Sequence, residues 1–303
     1  MRGALLILVV SCVPRPSAAQ ELGNKLLGAI GIDAGAQPPP GLYVVDRLVI
    51  YRADRLLDRN GDRLPVESLG IDVVANAIGV SWTRAIANRT YFTAALGAPL
   101  AHIAVNADHP VIAVDASGFG DLVVQPVRLG WRLERFDVVA GYTAYVPTGS
   151  FEPRRLSVGR GFWTDQLSLG GAFHADRARL RRASLLVSYD VNRRKRDIDI
   201  RRGNTVQVQG GVGTRVAGPV DAGLAGFALW QVTDNRGADL PGAVRDARTR
   251  AFGIGPEVGM ILRTLRTRLT LRAERELGVR SRQEGWIVVF GAAFLACWFE
   301  APH

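Results

Sequence analysis

Residues 130–149, GWRLERFDVVAGYTAYVPTG, alternate apolar side chains with charged or small ones over an unusually long run. The alternation becomes regular if the chain folds back at residues 134–135, because an antiparallel hairpin then places Arg132 opposite Asp137. One face of this hairpin is apolar, and the other is charged, polar or small. Each of its strands approaches the length of a tilted membrane strand, about 9–11 residues, which is roughly twice the average length of a strand in a soluble protein. The stretch therefore favours a membrane-spanning hairpin over a hairpin of a soluble sandwich.

The same division into two faces recurs along the chain. In residues 183–194, 205–216 and 266–276, apolar residues at alternate positions oppose polar or charged ones. A lipid-facing apolar side and a lumen-facing polar side are typical of outer-membrane barrels. Residues 286–299 are apolar on both faces and end in Cys-Trp-Phe, similar to the terminal aromatic signal read by the barrel-assembly machinery, although four residues follow. We therefore expect that machinery as a partner.

Twelve strand-like runs follow one another almost without interruption. We place them near residues 42–57, 69–84, 89–102, 119–133, 136–147, 162–175, 183–194, 204–217, 220–233, 248–262, 266–277 and 285–299. The connections alternate between mostly long ones, beginning with 56–69 and 103–118, and short ones such as 134–135 and 218–219. Long external loops and short periplasmic turns are the signature of an outer-membrane barrel. The chain is thus predicted to be all-β, with residues 42–303 forming an antiparallel up-and-down transmembrane barrel of about 12 strands.

The N-terminus predicts export. Residues 1–19 combine a basic start, an apolar run and a small-residue cleavage pattern, which together indicate a secretory signal peptide. A lipid on Cys12 is the alternative, because Val-Val-Ser-Cys resembles a lipoprotein box. Removal of the signal would leave Cys297 as the remaining cysteine, so that no intrachain disulfide could form. Residues 20–41 are expected to be a separate segment, with a short helix at 21–36 that a Pro-Pro-Pro-Gly run then stops.

The net charge of +10 comes almost entirely from arginine, and it falls to +8 once the signal peptide is removed. Export argues against nucleic acid as a partner despite this charge, so anionic lipid headgroups or acidic solutes are better candidates. Arginines cluster at residues 193–196 and 201–202, in a predicted external loop. They are either simply solvated or in contact with lipopolysaccharide phosphates, for which the arginine fork is suited. The predicted location is the outer membrane of a Gram-negative bacterium.

Several short motifs along the barrel resemble one family. They are Gly118-x-Gly120-Asp121, Tyr145-x-Pro147-Thr148-Gly149, Gly159-x-x-x-Trp163, Tyr189-x-x-Asn192 and Gln231-x-Thr233-Asp234, with Asp199 and Gly203. In order and spacing they are similar to the family labelled "meta-pathway of phenol degradation", over residues 41–299. The resemblance implies an outer-membrane barrel related to importers of aromatic and other hydrophobic compounds. It carries over no catalytic residues.

Other motifs have simpler explanations than the sites they suggest. Asp58-x-Asn60-x-Asp62 resembles a calcium loop, but its glycine is misplaced and position twelve is leucine, so a turn at Asn60-Gly61 is favoured. Gly118-x-Gly120 is followed by a strand, whereas a phosphate loop requires a helix. The histidines have no ligand spacing, and no Ser-His-Asp arrangement stands out. We therefore expect neither metal, cofactor nor enzymatic activity.

The strand number predicts a narrow lumen. A barrel of eight strands is filled by its own side chains, and one of sixteen strands leaves an aqueous pore. A barrel of twelve strands should therefore have a lumen of intermediate width. The candidate lumen- or substrate-lining residues are Arg128, Arg132, Asp137, Tyr145, Gln166, Arg268, Arg272 and Glu274. The arginines would either form a mildly cationic passage or only satisfy Asp137 and Glu274. The expected function is passive transport of small hydrophobic or aromatic compounds; the alternatives are a scaffold barrel with a blocked lumen, or a lipid-modifying enzyme.

Overall fold

The computed structural model describes residues 27, 28 and 30–297 of the chain. Predictions for the signal peptide, for Cys12, for the first part of the predicted helix and for the aromatic pair at 298–299 lie outside these residues and stay predictions. Among the described residues, the one helix is a single turn, α1 (Gly242–Arg245). No described helix is long and apolar enough to cross a membrane, a criterion that does not apply to spanning strands.

Thirteen strands form one antiparallel sheet within the described residues. They are β1 (Gly41–Leu57), β2 (Gly70–Ala87), β3 (Thr90–Ala107), β4 (Ile112–Phe119), β5 (Leu122–Arg132), β6 (Phe136–Val146), β7 (Thr164–His174), β8 (Arg181–Asn192), β9 (Thr205–Ala217), β10 (Val220–Gln231), β11 (Arg250–Leu262), β12 (Thr267–Arg280) and β13 (Arg282–Cys297). The sheet closes because β1 pairs with both β2 and β13. Strands β4 and β5 pair with successive halves of β3 and so share one wall position. The predicted closed barrel of twelve wall strands is confirmed.

The β5–β6 hairpin has the register that alternation predicts. Arg132 lies opposite Asp137, and Arg128 lies opposite Gly141. Asp137 is buried inside the barrel, whereas its neighbour Val138 is exposed on the outer wall. The register shifts once, between residues 124 and 127, where a proline at 126 has no N–H to donate to the ladder.

Two predicted long connections are wrong. Residues 103–118 do not form a loop: β3 runs on to Ala107, and β4 pairs back on it, with His102 Nδ1 2.8 Å from Ser117 Oγ. The small and charged residues of β4 hide its alternation in the sequence. The predicted 278–284 loop is instead a tight turn at Ser281, which has a left-handed φ of 54°. The remaining long connections lie at one end of the barrel, called here the long-loop end, and the other is the short-turn end.

The outer wall carries a belt of exposed large hydrophobic side chains. Its members include Ile78, Leu96, Leu167, Leu169, Leu185, Val212, Leu224, Ile254 and Phe290. Trp163, Tyr189 and Trp230 stand at the long-loop edge of this belt. Such an apolar band flanked by aromatic residues matches the hydrocarbon layer and its interface. The face assignment predicted from alternation is confirmed here.

The interior differs from the uniformly polar lumen that alternation suggests. At the long-loop end, inward-facing apolar side chains pack into one buried cluster, named here the apolar half of the lumen. It comprises Val49, Tyr51, Ala53, Ile71, Val73, Ile103, Val105, Phe227, Leu229, Ile287 and Val289, joined by Val158 from a long loop. The rest of the interior is mostly polar, with buried side chains such as Thr143, Ser184, Gln207 and Glu257, apart from a small apolar cluster of Ala34, Val139 and Leu186.

Candidate functional site

The chain before β1 occupies the barrel lumen. Residues 27, 28 and 30–40, named here the lumen segment, contact inward-facing side chains of β3, β5, β8, β9, β11 and β12. Glu257 of β11 accepts the N–H of Ile32 at 3.1 Å, and Ser184 of β8 donates to the carbonyl of Ile32. Arg128 of β5, on the opposite side of the wall from β11, also binds the segment, which therefore lies across the passage.

Asp33 anchors the lumen segment by charge. Its carboxylate lies 2.6 Å from Arg182 Nε and 2.7 Å from an Arg268 nitrogen. Both arginines also pair with the buried Asp221, at 3.3 Å and 3.2 Å. The four side chains form a compact charged cluster that joins β8, β10 and β12 to the segment. Charge-assisted hydrogen bonds of this kind are about twice as strong as neutral ones.

Two arginines of β5 hold the other end of the lumen segment. Arg128 donates to the carbonyls of Ala34 and Ala36, at 3.2 Å and 2.9 Å. Arg132 donates to the carbonyl of Gln37 at 2.8 Å. These carbonyls have no sheet partner, so the arginines satisfy acceptors that would otherwise be buried without a hydrogen bond.

The predicted helix at 21–36 is wrong for the part of it that the structure describes. Residues 27, 28 and 30–36 form turns and bends. The lumen side chains already bind the backbone groups that a helix would pair internally. The glycines allow this fit, because a Cβ at Gly31 would collide with Glu257 and Arg272, and one at Gly35 with the backbone carbonyl of Gly171.

The predicted pairing of Arg132 with Asp137 does not occur, although the two are opposite in register. Asp137 pairs instead with Arg179 at 2.7 Å and lies 3.4 Å from His174 Nε2. Arg179 comes from the β7–β8 turn, close to the start of β6, whereas the Arg132 guanidinium turns to the lumen segment. A turn residue outside the alternating pattern therefore takes the place that strand register suggested for Arg132.

Arg272 and Glu274 form part of a buried charged group at the centre of the polar interior. Arg272 lies 2.9 Å from Glu257 and 3.4 Å from Glu274, and it also donates to the carbonyl of Gly28. One alternative from the sequence is that the lumen arginines satisfy Glu274; Arg272 does lie beside it, but Glu257 is the nearer partner. All three side chains are almost completely buried, so their charges depend on one another.

Tyr145 and Gln166 lie on the inner face as well. Tyr145 is buried, and Gln166 Nε2 donates to Asp190 Oδ1 at 2.7 Å. The eight candidate residues thus all lie inside the wall. Their contact with a solute stays a prediction, since five of them, all except Asp137, Tyr145 and Gln166, bind the lumen segment or the charges beside it.

Sequence reasoning missed the partners that make the interior a connected polar network. The missed residues are Asp33, Arg182, Asp221 and Glu257, together with Gln209, which accepts the N–H of Ile30. Asp221 and Glu257 stand at inward positions of β10 and β11, where a strict count of alternate positions could have found them. Asp33 carries no such signal, because it belongs to no strand.

The residues of the family resemblance lie at the long-loop rim and hold loops there. Asp121 accepts the N–H of Gly149 at 3.1 Å and that of Arg160 at 2.9 Å, across the break between β4 and β5. Asn192 donates to the carbonyl of Gly203 at 2.8 Å, tying β8 to the start of β9. These motif residues therefore shape the rim of the barrel.

The calcium-like motif is a turn at the same rim. One Asp58 oxygen accepts the N–H groups of Asn60, Gly61 and Asp62, at 2.8 to 2.9 Å. These N–H donors, that of Asp62 foremost, lower the pKa of Asp58 below its usual value. The carboxylate therefore caps the turn as an anion.

Known structures share this fold at low sequence identity. An outer membrane channel from Pseudomonas putida F1, a COG4313 protein, superposes with a TM-score of 0.77 at 15% identity, covering 86% of this chain and 97% of that one. The transport unit of the autotransporter AIDA-I from Escherichia coli gives a TM-score of 0.50 at 10% identity, covering 86% and 91%. No curated protein sequence matches significantly.

A family model matches residues 53–290, which is most of the barrel. This match spans the motifs at the rim and the strands from the end of β1 to the first half of β13. The chain therefore belongs to the family described as "Putative MetA-pathway of phenol degradation".

Proposed function

We propose that the protein is an outer-membrane channel for the passive transport of small hydrophobic or aromatic compounds. Three observations support this proposal. The chain belongs to a family named for phenol degradation, and the similar Pseudomonas putida protein is an outer membrane channel. The outer wall also carries a continuous apolar belt with aromatic residues at its edge.

The observation that carries the proposal is the apolar half of the lumen. Porin interiors are polar because they conduct hydrated solutes. Here Val49, Ile71, Val105, Phe227 and Val289 turn inward at the long-loop end. An aromatic ring can pack among such side chains without burying a polar group that lacks a hydrogen bond. A sugar would bury its hydroxyl groups there without partners. The lumen thus suits an apolar cargo at its entrance.

The lumen segment gives the proposed channel a closed resting state. It is held by hydrogen bonds and ion pairs to the wall. When the segment is displaced, water can replace these interactions. Passage of a solute then requires the segment to shift, and the freed arginines 128, 182 and 268 would present cations to an aromatic acid. Cations that line a narrow passage favour anions.

The same segment favours a second candidate, a scaffold barrel whose lumen stays blocked. The two candidates differ in one property, which is net flux of solute. Because neutral aromatic compounds cross lipid unaided, the test uses an aromatic anion, benzoate, with glucose as the comparison. Proteoliposomes that hold the folded barrel should take up benzoate faster than glucose and faster than protein-free liposomes. Equal uptake with and without protein would favour the scaffold.

A further inference from the structure

Six charged side chains surround a cavity of about 680 Å³ at the long-loop rim. They are Arg193, Arg194, Arg201, Arg236, Asp165 and Asp199, and the cavity is named here the rim pocket. Four arginines against two aspartates leave an excess of positive charge. We propose that the rim pocket binds a phosphorylated headgroup of an outer-leaflet lipid, such as the lipid A part of lipopolysaccharide.

The rim pocket opens on the outer wall and not into the lumen. Along β7 and β8, Thr164, Gln166, Asp190 and Asn192 are the buried, inward-facing positions. The lining residues Asp165 and Val191 alternate with them, and successive strand residues point to opposite faces. A molecule in the pocket therefore stands beside the barrel, where lipid is.

Aromatic residues fix the depth of the rim pocket. Tyr142 donates its hydroxyl to Asp165 at 2.6 Å, and Tyr189 accepts from Asn204 at 2.8 Å. Leu167 and Leu169, two and four residues from Asp165 along β7, are exposed on the apolar belt. Tyrosines of this kind mark the interface between hydrocarbon and headgroups. The pocket thus begins where the headgroup layer begins.

The arginines of the rim pocket keep donors available. Arg193 and Arg194 pair with Asp165 and Asp199 at 2.9 Å and 3.4 Å, but both arginine side chains are exposed to solvent, which weakens these pairs. Arg201 uses its Nε for the carbonyl of Asn192. Within the described part of the chain, the Arg236 side chain makes no hydrogen bond or ion pair.

The backbone pre-organises the two less committed arginines. The N–H and C=O groups of Arg201 and Arg236 exchange two hydrogen bonds, at 2.7 Å and 2.8 Å. The two side chains therefore start from directly opposed backbone positions before any ligand arrives. Their planar forks match phosphate oxygens, and pre-organisation lowers the cost of binding.

A lipid fits this position better than free phosphate. Its phosphate would meet the arginines while its acyl chains extend along Leu167 and Leu169, so that both parts gain contacts. Free phosphate would contact the arginines alone, without the apolar contacts of the acyl chains, and it must compete with water. The proposal concerns a surface outside the lumen and does not depend on transport.

The test compares two double variants of the full-length barrel by native mass spectrometry. Arg201→Ala/Arg236→Ala removes the pre-organised pair, and Arg59→Ala/Arg63→Ala removes the same charge from a different long loop. Both are first checked for the heat-dependent gel mobility of a folded barrel. Each is titrated with bisphosphorylated lipid A, with dephosphorylated lipid A and with inorganic phosphate.

Loss of two charge-assisted contacts should weaken binding of bisphosphorylated lipid A about tenfold or more in the pocket variant. The control variant should bind it like the native protein, and dephosphorylated lipid A should bind weakly to all three. Equal lipid A affinity in the two variants would overturn the proposal. It would also be overturned if inorganic phosphate bound the native protein as tightly as the lipid. Benzoate flux should be the same in both variants. A negative result for lipid binding would therefore leave the proposed transport function unaffected, and the reverse also holds.

Discussion

At the residue scale, the lumen arginines act first on the protein itself. Arg128, Arg132 and Arg268 bind carbonyls or Asp33 of the lumen segment. They are therefore neither a bare cationic ring nor simple partners of Asp137. Their availability to a solute depends on whether the segment is in place.

Asp33→Asn tests this dependence. The substitution removes the charge that pairs with Arg182 and Arg268, while the barrel wall is untouched. Loss of about 1.5 kcal/mol or more of charge-assisted bonding should raise the displaced fraction of the segment about tenfold. Planar-bilayer recordings should show more frequent openings. Asp54→Asn, an exposed acid on the outer wall, is the matched control, and identical opening rates in the two variants would contradict the assignment.

The buried pair of Arg272 and Glu257 allows a second test, of stability. Arg272→Met leaves the Glu257 carboxylate buried without its nearest cation, which should cost about 3–5 kcal/mol in a denaturant titration from detergent. Adding Glu257→Gln removes the stranded charge, so the double variant should recover much of this loss. A double variant as unstable as the single one would show that the pair is not the relevant interaction.

At the element scale, the alternation of side chains predicts the strands well because each wall strand must satisfy lipid on one face. β8, β9 and β12 follow this rule over most of their length, and their bounds fall close to those predicted. β4 does not, since its exposed positions include Ala113 and Asp115 and it rises beyond the apolar belt. Alternation therefore predicts a strand only over the part of it that contacts lipid.

A charge on the lipid face should be costly in proportion to depth. Leu169→Arg, in the middle of β7, should cost about 2–4 kcal/mol of unfolding free energy, and Leu265→Arg, in a short turn, about 0–1 kcal/mol. Both leucines are about 60% exposed, so burial within the protein does not distinguish them. Equal losses of unfolding free energy in a denaturant titration would mean that Leu169 does not face the hydrocarbon layer.

The candidate site was less predictable than the fold. The positions of Arg128, Arg268 and Arg272 on the inner face follow from strand period, and the structure places them there. Their partners do not, because Asp33 and Gly28 belong to a segment without periodicity and Arg179 to a turn. Contacts between a strand and a distant irregular segment leave no pattern in either sequence.

At the scale of the whole molecule, the long and short connections define two ends. A protease site inserted at 196–199, in the loop between β8 and β9, should be cut on intact cells. The same site at 177–179, in the β7–β8 turn, should be cut only after the outer membrane is opened. Cleavage in the reverse pattern would mean that the barrel is inserted with the short turns outside.

The central claim is that solutes cross a lumen that the N-terminal segment closes. Ala34 packs against Val139 of β6 in a buried cluster, so Ala34→Cys/Val139→Cys in a Cys297→Ser background can lock the segment to the wall. Benzoate uptake into proteoliposomes is then measured on the oxidised and the reduced protein, with each single cysteine variant as a control. The account predicts uptake by the reduced barrel that falls to the protein-free level on oxidation and returns on reduction. Unchanged uptake by the fully cross-linked barrel, or no uptake by the folded reduced barrel, would contradict it.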